Sequence, residues 1–309
     1  MPLFSVVIPL YNKENYISET INSVLKQSVQ DFELIVINDG STDKSLDIVK
    51  SFNDFRISLI DQKNIGLSAT RNKGIKLAKG RIVALLDADD LWQPNFLKEI
   101  KSFHEAHPDI DVFGTSYQEY NGKQFLNTKK NIPKIKFGTS FIINNFFECN
   151  LFQPIITASS IAFKKGVMKD LAFDSAIDYG EDIDFYIKCF SQYKLGYIYK
   201  NLAIIRVDNQ DQITTTGIKD KKIPDFDTYK DITPNSSLKK YLDFVRYSFA
   251  TQYKTIGDFS NYKKLADAID KSNLTSKQAF LLKSPRMLLV LLRNMKKQLL
   301  KRNIRLTSF

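Results

Sequence analysis

The segment Asp87-Ala88-Asp89-Asp90 puts three carboxylates into four positions, directly after the apolar run from Arg81 to Leu86. Side chains two apart in an extended segment lie on the same side, so Asp87 and Asp89 face one way. Hard oxygen donors of this kind suit Mg²⁺ or Mn²⁺, which keep some of their water and bridge phosphate oxygens. A cation held there would neutralise charge developing on a departing phosphate. Asp90 reads as a cap for a helix beginning near Trp92-Gln93-Pro94. An Asp-x-Asp pair is common by chance, and the bland reading, Asp89 or Asp90 as a helix cap, stays open on local sequence.

Three further sets have chemistry in their residue types. Asp39-Gly40-Ser41-Thr42-Asp43 offers a carboxylate that accepts from a nucleobase N–H, beside a glycine that lets the chain turn tightly against a ligand. It also reads as an ordinary turn with Ser41 or Thr42 capping the next helix. In Asn64 to Asn72, a helix opens on small residues with Arg71 near its start. Arg71 suits a base carbonyl or a phosphate, and equally a plain surface helix. Glu181-Asp182 opens another helix, where acids are favourable whatever their function.

These residues need a scaffold, and the first ninety positions supply one. Apolar, β-branched runs predict strands at Ser5 to Pro9, Glu33 to Asn38, Arg56 to Asp61 and Arg81 to Leu86. Amphipathic stretches predict helices at Glu14 to Lys26, Lys44 to Phe52 and Leu67 to Ala78. This alternation is that of a doubly wound, Rossmann-like parallel sheet. Ligands bind such sheets beyond the carboxyl ends of the strands, so Tyr11, Asn12, Asp39 and Asp87 to Asp90 are expected on one rim. From Asp111 to Asn150 the periodicity weakens. It returns with a predicted strand at Thr157 to Phe163 and a helix at Asp182 to Ser191, and beyond about Ile232 the pattern is helical.

Bulk properties exclude several classes. The chain has 309 residues and a formal charge of +11, but residues 271 to 309 hold ten Lys or Arg and no Asp or Glu, which leaves the rest at +1. A neutral body without a recognition motif argues against a nucleic-acid partner. Two cysteines, Cys149 and Cys189, fit neither a disulfide framework nor a zinc site and suit a cytoplasmic setting. The first residues lack a signal-peptide pattern, and the longest wholly apolar run, Met287 to Leu292, is far below the ~20 residues a membrane span needs. Residues 286–306 predict a basic amphipathic helix, with Leu288, Leu291, Leu292, Met295 and Leu299 opposite Arg286, Arg293, Lys297 and Lys301. Such a helix suits peripheral contact with an anionic membrane, on the cytoplasmic face of an inner membrane, or packing of its leucines on the body.

Val6 to Asn12, the Asp39-Gly40-Ser41-x-Asp43 turn, Gly66 to Asn72 and Leu86 to Asp90 stand together in the order and spacing of family 2 glycosyltransferases, and Tyr179-Gly180-Glu181-Asp182 resembles that family's acceptor motif. The match is close over residues 3 to 100 and resumes near 180. The resemblance implies a GT-A (nucleotide-diphospho-sugar transferase) fold, α/β with a mostly parallel central sheet flanked by helices and a helical C-terminal extension. It implies a catalytic unit over 1–225, divided into a nucleotide-sugar half (1–110) and an acceptor half (111–225), and an extension over 226–309.

By the same resemblance, Pro9, Tyr11, Asn12, Asp39, Arg71, Asp87 and Ala88 would bind the nucleotide sugar. Asp39 would take the uracil imide, Asp87 would lie near the ribose and Asp89 would hold Mn²⁺ or Mg²⁺. Asp182 would be the general base of an inverting displacement, with Glu181 and Trp92 binding the acceptor. The implied reaction moves a hexose or N-acetylhexosamine from a UDP-sugar to a glycan or lipid-linked acceptor, in bacterial surface-glycan synthesis. Many relatives place a His downstream of the acceptor motif. Here the histidines are His104 and His107, upstream at a predicted helix end, and the corresponding stretch offers Arg206, Asp208 and Asn209. A sugar nucleotidyltransferase would require glycines after the first strand, where Leu10-Tyr11-Asn12-Lys13 stands. A membrane-associated scaffold with a degenerate pocket is the non-enzymatic alternative.

Overall fold

The computed structural model describes residues 1–126, 130–207, 217–230, 232 and 235–301. In the first ninety residues the predicted elements appear: strands β1 (Phe4–Leu10), β2 (Phe32–Asp39), β3 (Ile57–Gln62) and β4 (Ile82–Leu85), with helices α1 (Ile17–Leu25), α2 (Ser45–Lys50) and α3 (Leu67–Leu77) between them. Their order in the sheet is β3-β2-β1-β4, all parallel. Because β4 pairs with the opposite side of β1 from β2, the order reverses at β1, and this is where a doubly wound sheet opens a crevice. Pro9, which has no N–H to donate, lies beyond the last pair of β1 with β4, Val7↔Leu85.

Alternate residues of these strands face two separate cores. Val7, Ile37 and Leu85 join one cluster, whereas Val6, Ile8, Val36 and Ala84 join the other. Burial on both faces explains why β1, β2 and β4 are largely apolar, whereas the edge strand β3 is only partly buried.

The second half departs from expectation. After the two-residue strand β5 (Leu91–Trp92) and helix α4 (Phe96–Ala106), the stretch with weak periodicity holds a long interior strand, β6 (Val112–Tyr120), and two short ones, β7 (Phe125–Leu126) and β8 (Ser140–Ile143). A short helix α5 (Phe146–Cys149) leads to β9 (Ile161–Lys164), which begins later than predicted because Ala158–Ser160 forms a 3₁₀ turn. Helix α6 (Glu181–Phe190) then feeds β10 (Leu195–Arg206). Beyond β4 the sheet continues β9-β6-β10-β5, with β9 antiparallel to both neighbours and β6 parallel to β10. The result is a mixed α/β sheet flanked by helices.

Helices α7 (Ser236–Ile256), α8 (Phe259–Asp267), α9 (Ser276–Lys283) and α10 (Arg286–Lys301) follow. Asn235 caps α7 by accepting from Ser237 N at 2.9 Å. The extension shares a core with the sheet: Leu238, Val245 and Phe249 of α7 and Leu289 of α10 belong to the cluster that includes Val7 and Phe185. The predicted face of α10 is corrected. Leu289 is buried and Leu292 packs beside it, but Met287, Leu291 and Met295 point outward. No helix among the described residues is long and apolar enough to cross a membrane.

Candidate active site

The strand ends of β1, β2 and β4, the start of α6 and the middle of α7 surround a cleft of about 730 Å³. That volume lies in the ~300–1,000 Å³ range of small-molecule sites. Pro9, Tyr11, Asp39, Arg71, Asp87, Ala88, Asp89, Glu181 and Asp182 all line it. The loops at its floor are tied to each other. Asn12, at a left-handed φ of 49°, accepts from Thr42 N at 2.8 Å and donates its own N–H to Ser41 Oγ at 3.0 Å. Ser41 and Thr42 are therefore spent on this staple and do not cap α2, and Asn12 itself stays off the cleft wall.

Asp39 is held from the far side of the turn. Its carboxylate accepts from Ile65 N at 2.9 Å, Gly66 N at 3.0 Å and Gln62 Nε2 at 2.8 Å. A carboxylate has about four acceptor positions, so capacity remains for a ligand donor. Gly40 is required here, because at φ +73° a Cβ would lie 2.9 Å from Asn64 N. Tyr11 is half exposed at the lip of the cleft.

Arg71 is buried rather than on a helix surface, and it lines the cleft. Its guanidinium, only 2% exposed, donates to Asp87 Oδ1 at 2.7 Å and to Glu181 Oε1 at 2.9 Å, above the Phe173 ring. It thus joins β4's end to the start of α6. Burial disfavours its charge, but the flanking carboxylates of Asp87 and Glu181 outweigh that, and its pKa is raised.

The acidic cluster divides its work. Asp89 opens on the cleft and pairs with Lys13 Nζ at 3.0 Å. Asp90 is a buried tie and caps no helix: it accepts from Ser159 Oγ at 2.5 Å and Arg206 N at 3.0 Å. Burial and then the charges of Asp89 and Asp87 push its pKa well up. Thr20 Oγ1 reaches the carbonyls of Ala88 and Asp90 at 3.0 and 2.9 Å, which fixes the segment from beneath.

Trp92 corrects the acceptor-binding expectation. It is buried off the cleft, stacked on Phe96 at 4.0 Å, with Nε1 donating to the Ser159 carbonyl at 2.7 Å. The resemblance implied an acceptor-binding role, but apolar surroundings absorb the ring into the core.

Where a downstream His was absent, Arg206 lines the cleft, donating to the Asp89 carbonyl at 3.1 Å, pairing with Glu19 and lying over the Tyr16 ring. Asp208 and Asn209 lie outside the described residues. His104 and His107 are at the end of α4, against Phe113 and Phe103.

Asp182 stands at the first turn of α6, after Gly180 in the left-handed region at φ +86°, where a Cβ would meet Phe249 at 3.0 Å. It accepts from Ile183 N at 2.8 Å. Burial, then the neighbouring Glu181 charge, push its pKa up to about 7 against the opposing pull of Arg71. Lys13 and Ser159 were not singled out by residue pattern. Lys13 sits on the same rim as Asn12, a signal in hindsight, whereas Ser159 acts from a segment about seventy residues away and left none.

Residues 5–172 match the profile of Glycosyl transferase family 2. A glycosyltransferase of Methanocaldococcus jannaschii is 31% identical over 239 residues, 74% of this chain and 79% of the relative. The glycosyltransferase GlyA of Streptococcus pneumoniae is 31% identical over 66% of this chain, but the chain spans only 30% of GlyA's length, and 28% of that of a Rickettsia bellii glycosyltransferase. Among solved structures, residues 1–349 of S. aureus TarS in complex with UDP-GlcNAc superpose with a TM-score of 0.69 at 19% identity, covering 97% of this chain and 92% of that one. That likeness extends the shared GT-A architecture through the helical extension. With the ordered motifs converging on one cleft and more than half of the chain matched, this protein belongs to glycosyl transferase family 2.

Proposed function

We propose that this glycosyltransferase transfers a hexose or N-acetylhexosamine from a UDP-sugar to a glycan or lipid-linked acceptor with inversion, and serves bacterial surface-glycan synthesis. The observation that carries the reading is the opposition, across one cleft, of Asp39, Asp87 and Asp89 on the strand ends to Asp182 on α6. The UDP-GlcNAc complex of TarS supports a UDP-sugar donor.

In this reading the acceptor hydroxyl oxygen attacks the anomeric carbon and its proton passes to an Asp182 carboxylate oxygen. The bond from the anomeric carbon to the β-phosphate oxygen breaks, and UDP leaves with that electron pair. A base whose pKa is about 7 is half ionised at neutral pH and strong enough to take a proton. Uracil would donate its imide N–H to the remaining capacity of Asp39, with Tyr11 against the base.

The residues present fit a divalent metal. Asp89 already holds a cationic group, Lys13, at the cleft wall, and its carboxylate is a hard oxygen donor of the kind these ions take. Mg²⁺ or Mn²⁺ would therefore rest on Asp89 and take its other ligands from the donor's phosphates and water, supplying charge neutralisation for the leaving diphosphate. Lys13 and Arg206 add positive charge on the same side.

Peripheral attachment is part of the proposal. Met287, Leu291 and Met295, spaced four apart, form an outward apolar stripe on α10 in the tail that carries the chain's excess positive charge.

The test is UDP-sugar hydrolysis and transfer by the full chain, with and without EDTA, for wild type, Asp89→Ala and Asp182→Ala. Transfer is expected to fall by about 10²–10⁴-fold in Asp182→Ala, and Asp89→Ala is expected to lose its response to metal. Full activity in both variants would overturn the assignment.

A further inference from the structure

A second cavity, of about 360 Å³, meets the cleft at the proposed base: Asp182, Ile183, Ser248, Phe249 and Gln252 line both. Its remaining walls come from the segment after α5, with Asn150, Phe152 and Pro154, and from α6, α7 and α10, with Tyr186, Tyr241, Phe244, Tyr247 and Lys296 prominent. It is large enough to take a small ligand, and its character differs from that of the cleft. Aromatic side chains dominate, and the charged groups on its walls are Asp182 and Lys296.

Two details point to an occupant. The Tyr186 hydroxyl is buried without a hydrogen-bond partner, although its ring lies on this cavity. A buried hydroxyl in that condition calls for a polar group that the protein itself does not provide. On the same walls, burial, helped by the nearby charge of Lys277, pushes the Lys296 ammonium down to about 8. An anion in the cavity would reverse that shift by stabilising the charged form. Aromatic rings offer flat apolar surfaces that suit the C–H faces of sugar rings, while the Tyr186 hydroxyl and the Lys296 ammonium supply the polar contacts.

We propose that this cavity is the acceptor subsite, and that it takes a glycan residue bearing an anionic substituent, a phosphate or a carboxylate, with Tyr186 bonded to a sugar oxygen and Lys296 on the anion. The inference rests on the glycosyltransferase reading above and deepens it, by naming the acceptor's chemical class and giving the terminal helix a share in recognising it. The arrangement also explains why the helical extension shares one core with α6: a wall of the subsite must be held rigidly against the base.

The experiment titrates the full chain, saturated with UDP, with paired probes by ligand-observed NMR: methyl glucoside against methyl glucuronide, and glucose against glucose 6-phosphate. The anionic member of each pair is expected to bind about 10-fold more tightly. Lys296→Ala should erase the difference and Lys296→Arg should keep it, with UDP affinity unchanged in both. Tyr186→Phe should weaken both members of a pair alike, by several-fold. Preference for one probe of the two anionic pairs tells a phosphate from a carboxylate. Equal binding within pairs, no detectable binding of any probe, or a preference that survives in Lys296→Ala would overturn the proposal. UDP titration on the same samples separates the two readings. If UDP binds and the sugar pairs fail, the acceptor inference falls alone; if UDP does not bind, the donor assignment falls and the acceptor inference with it.

Discussion

The two sides of the cleft are built by opposite physical strategies. On the donor side, polar residues stand within a few positions of strand ends and those that line the cleft are held by hydrogen bonds and ion pairs: Asp39 by two backbone N–H groups and Gln62, Asp87 by the Arg71 guanidinium and Asp89 by Lys13. Such preorganised dipoles hold charge without rearranging. On the acceptor side, Asp182 has one short bond to the neighbouring Ile183 N–H and is otherwise surrounded by desolvating protein and the like charge of Glu181. Hydrogen bonds stabilise an ionised carboxylate and desolvation opposes it. One side therefore keeps its acids ready to bind cations and donors, and the other keeps an acid ready to accept a proton.

Buried Arg71 joins the two through its ion pairs with Asp87 and Glu181, and removing it should give the largest effect. Arg71→Met would leave Glu181 without its buried partner, and breaking a pair of this kind costs ~3–5 kcal/mol. Urea denaturation is the measurement, and a loss below ~1 kcal/mol would show that the two sides are not coupled through this residue. The same variant removes the charge that holds the Asp182 pKa down, so the acid limb of the transfer rate should move to higher pH.

Glu181→Gln should do the reverse. Asp182 acts as a base only when ionised, so activity in the wild type should fall as pH drops through about 7. Glu181 contributes to that elevation by like-charge repulsion, and its neutralisation should move the limb down by on the order of one unit. A pH profile of kcat/KM over both variants and wild type is decisive: opposite shifts support Asp182 as the titrating base, and a limb that moves in neither variant assigns it to another group.

The legibility of the sequence follows the same division. The placement of Asp39, Asp87 and Asp89 at strand ends on one cleft was readable because each follows a strand buried on both faces, whose continuous apolar run is a strong local signal. The interior strand β6 was missed because its buried residues include Thr115, Ser116 and Glu119, which break that signal. Strand β10 was missed because Lys200 and Asn201 interrupt its run where its register against β6 shifts. Trp92 and Asn12 were placed on the ligands by the family resemblance. Their tasks, packing against Phe96 and stapling Thr42, depend on partners that local spacing does not display. The resemblance put Arg71 at the nucleotide sugar, and its bond to Glu181, 110 positions away, could not be seen from local spacing. The aromatic cavity draws on residues from 150 to 296, and nothing in their spacing announces it.

The smallest expected effect concerns the outer surface of the extension, where the acceptor side faces away from the cleft. Helix α10 packs through Leu289 and Leu292 and leaves Met287, Leu291 and Met295 outside, so replacing these three with Ser changes no core contact and should leave stability nearly unchanged. If the stripe rests on an anionic leaflet, it adds apolar burial to an attraction worth ~1 kcal/mol for each nearby Lys or Arg. Sedimentation with phosphatidylglycerol vesicles should then show several-fold weaker binding by the triple variant, and salt should weaken wild type and variant alike. Unchanged vesicle binding in the triple variant would leave α10 with one task, closing the cavity beside Asp182, and would place the acceptor's recognition entirely within the protein.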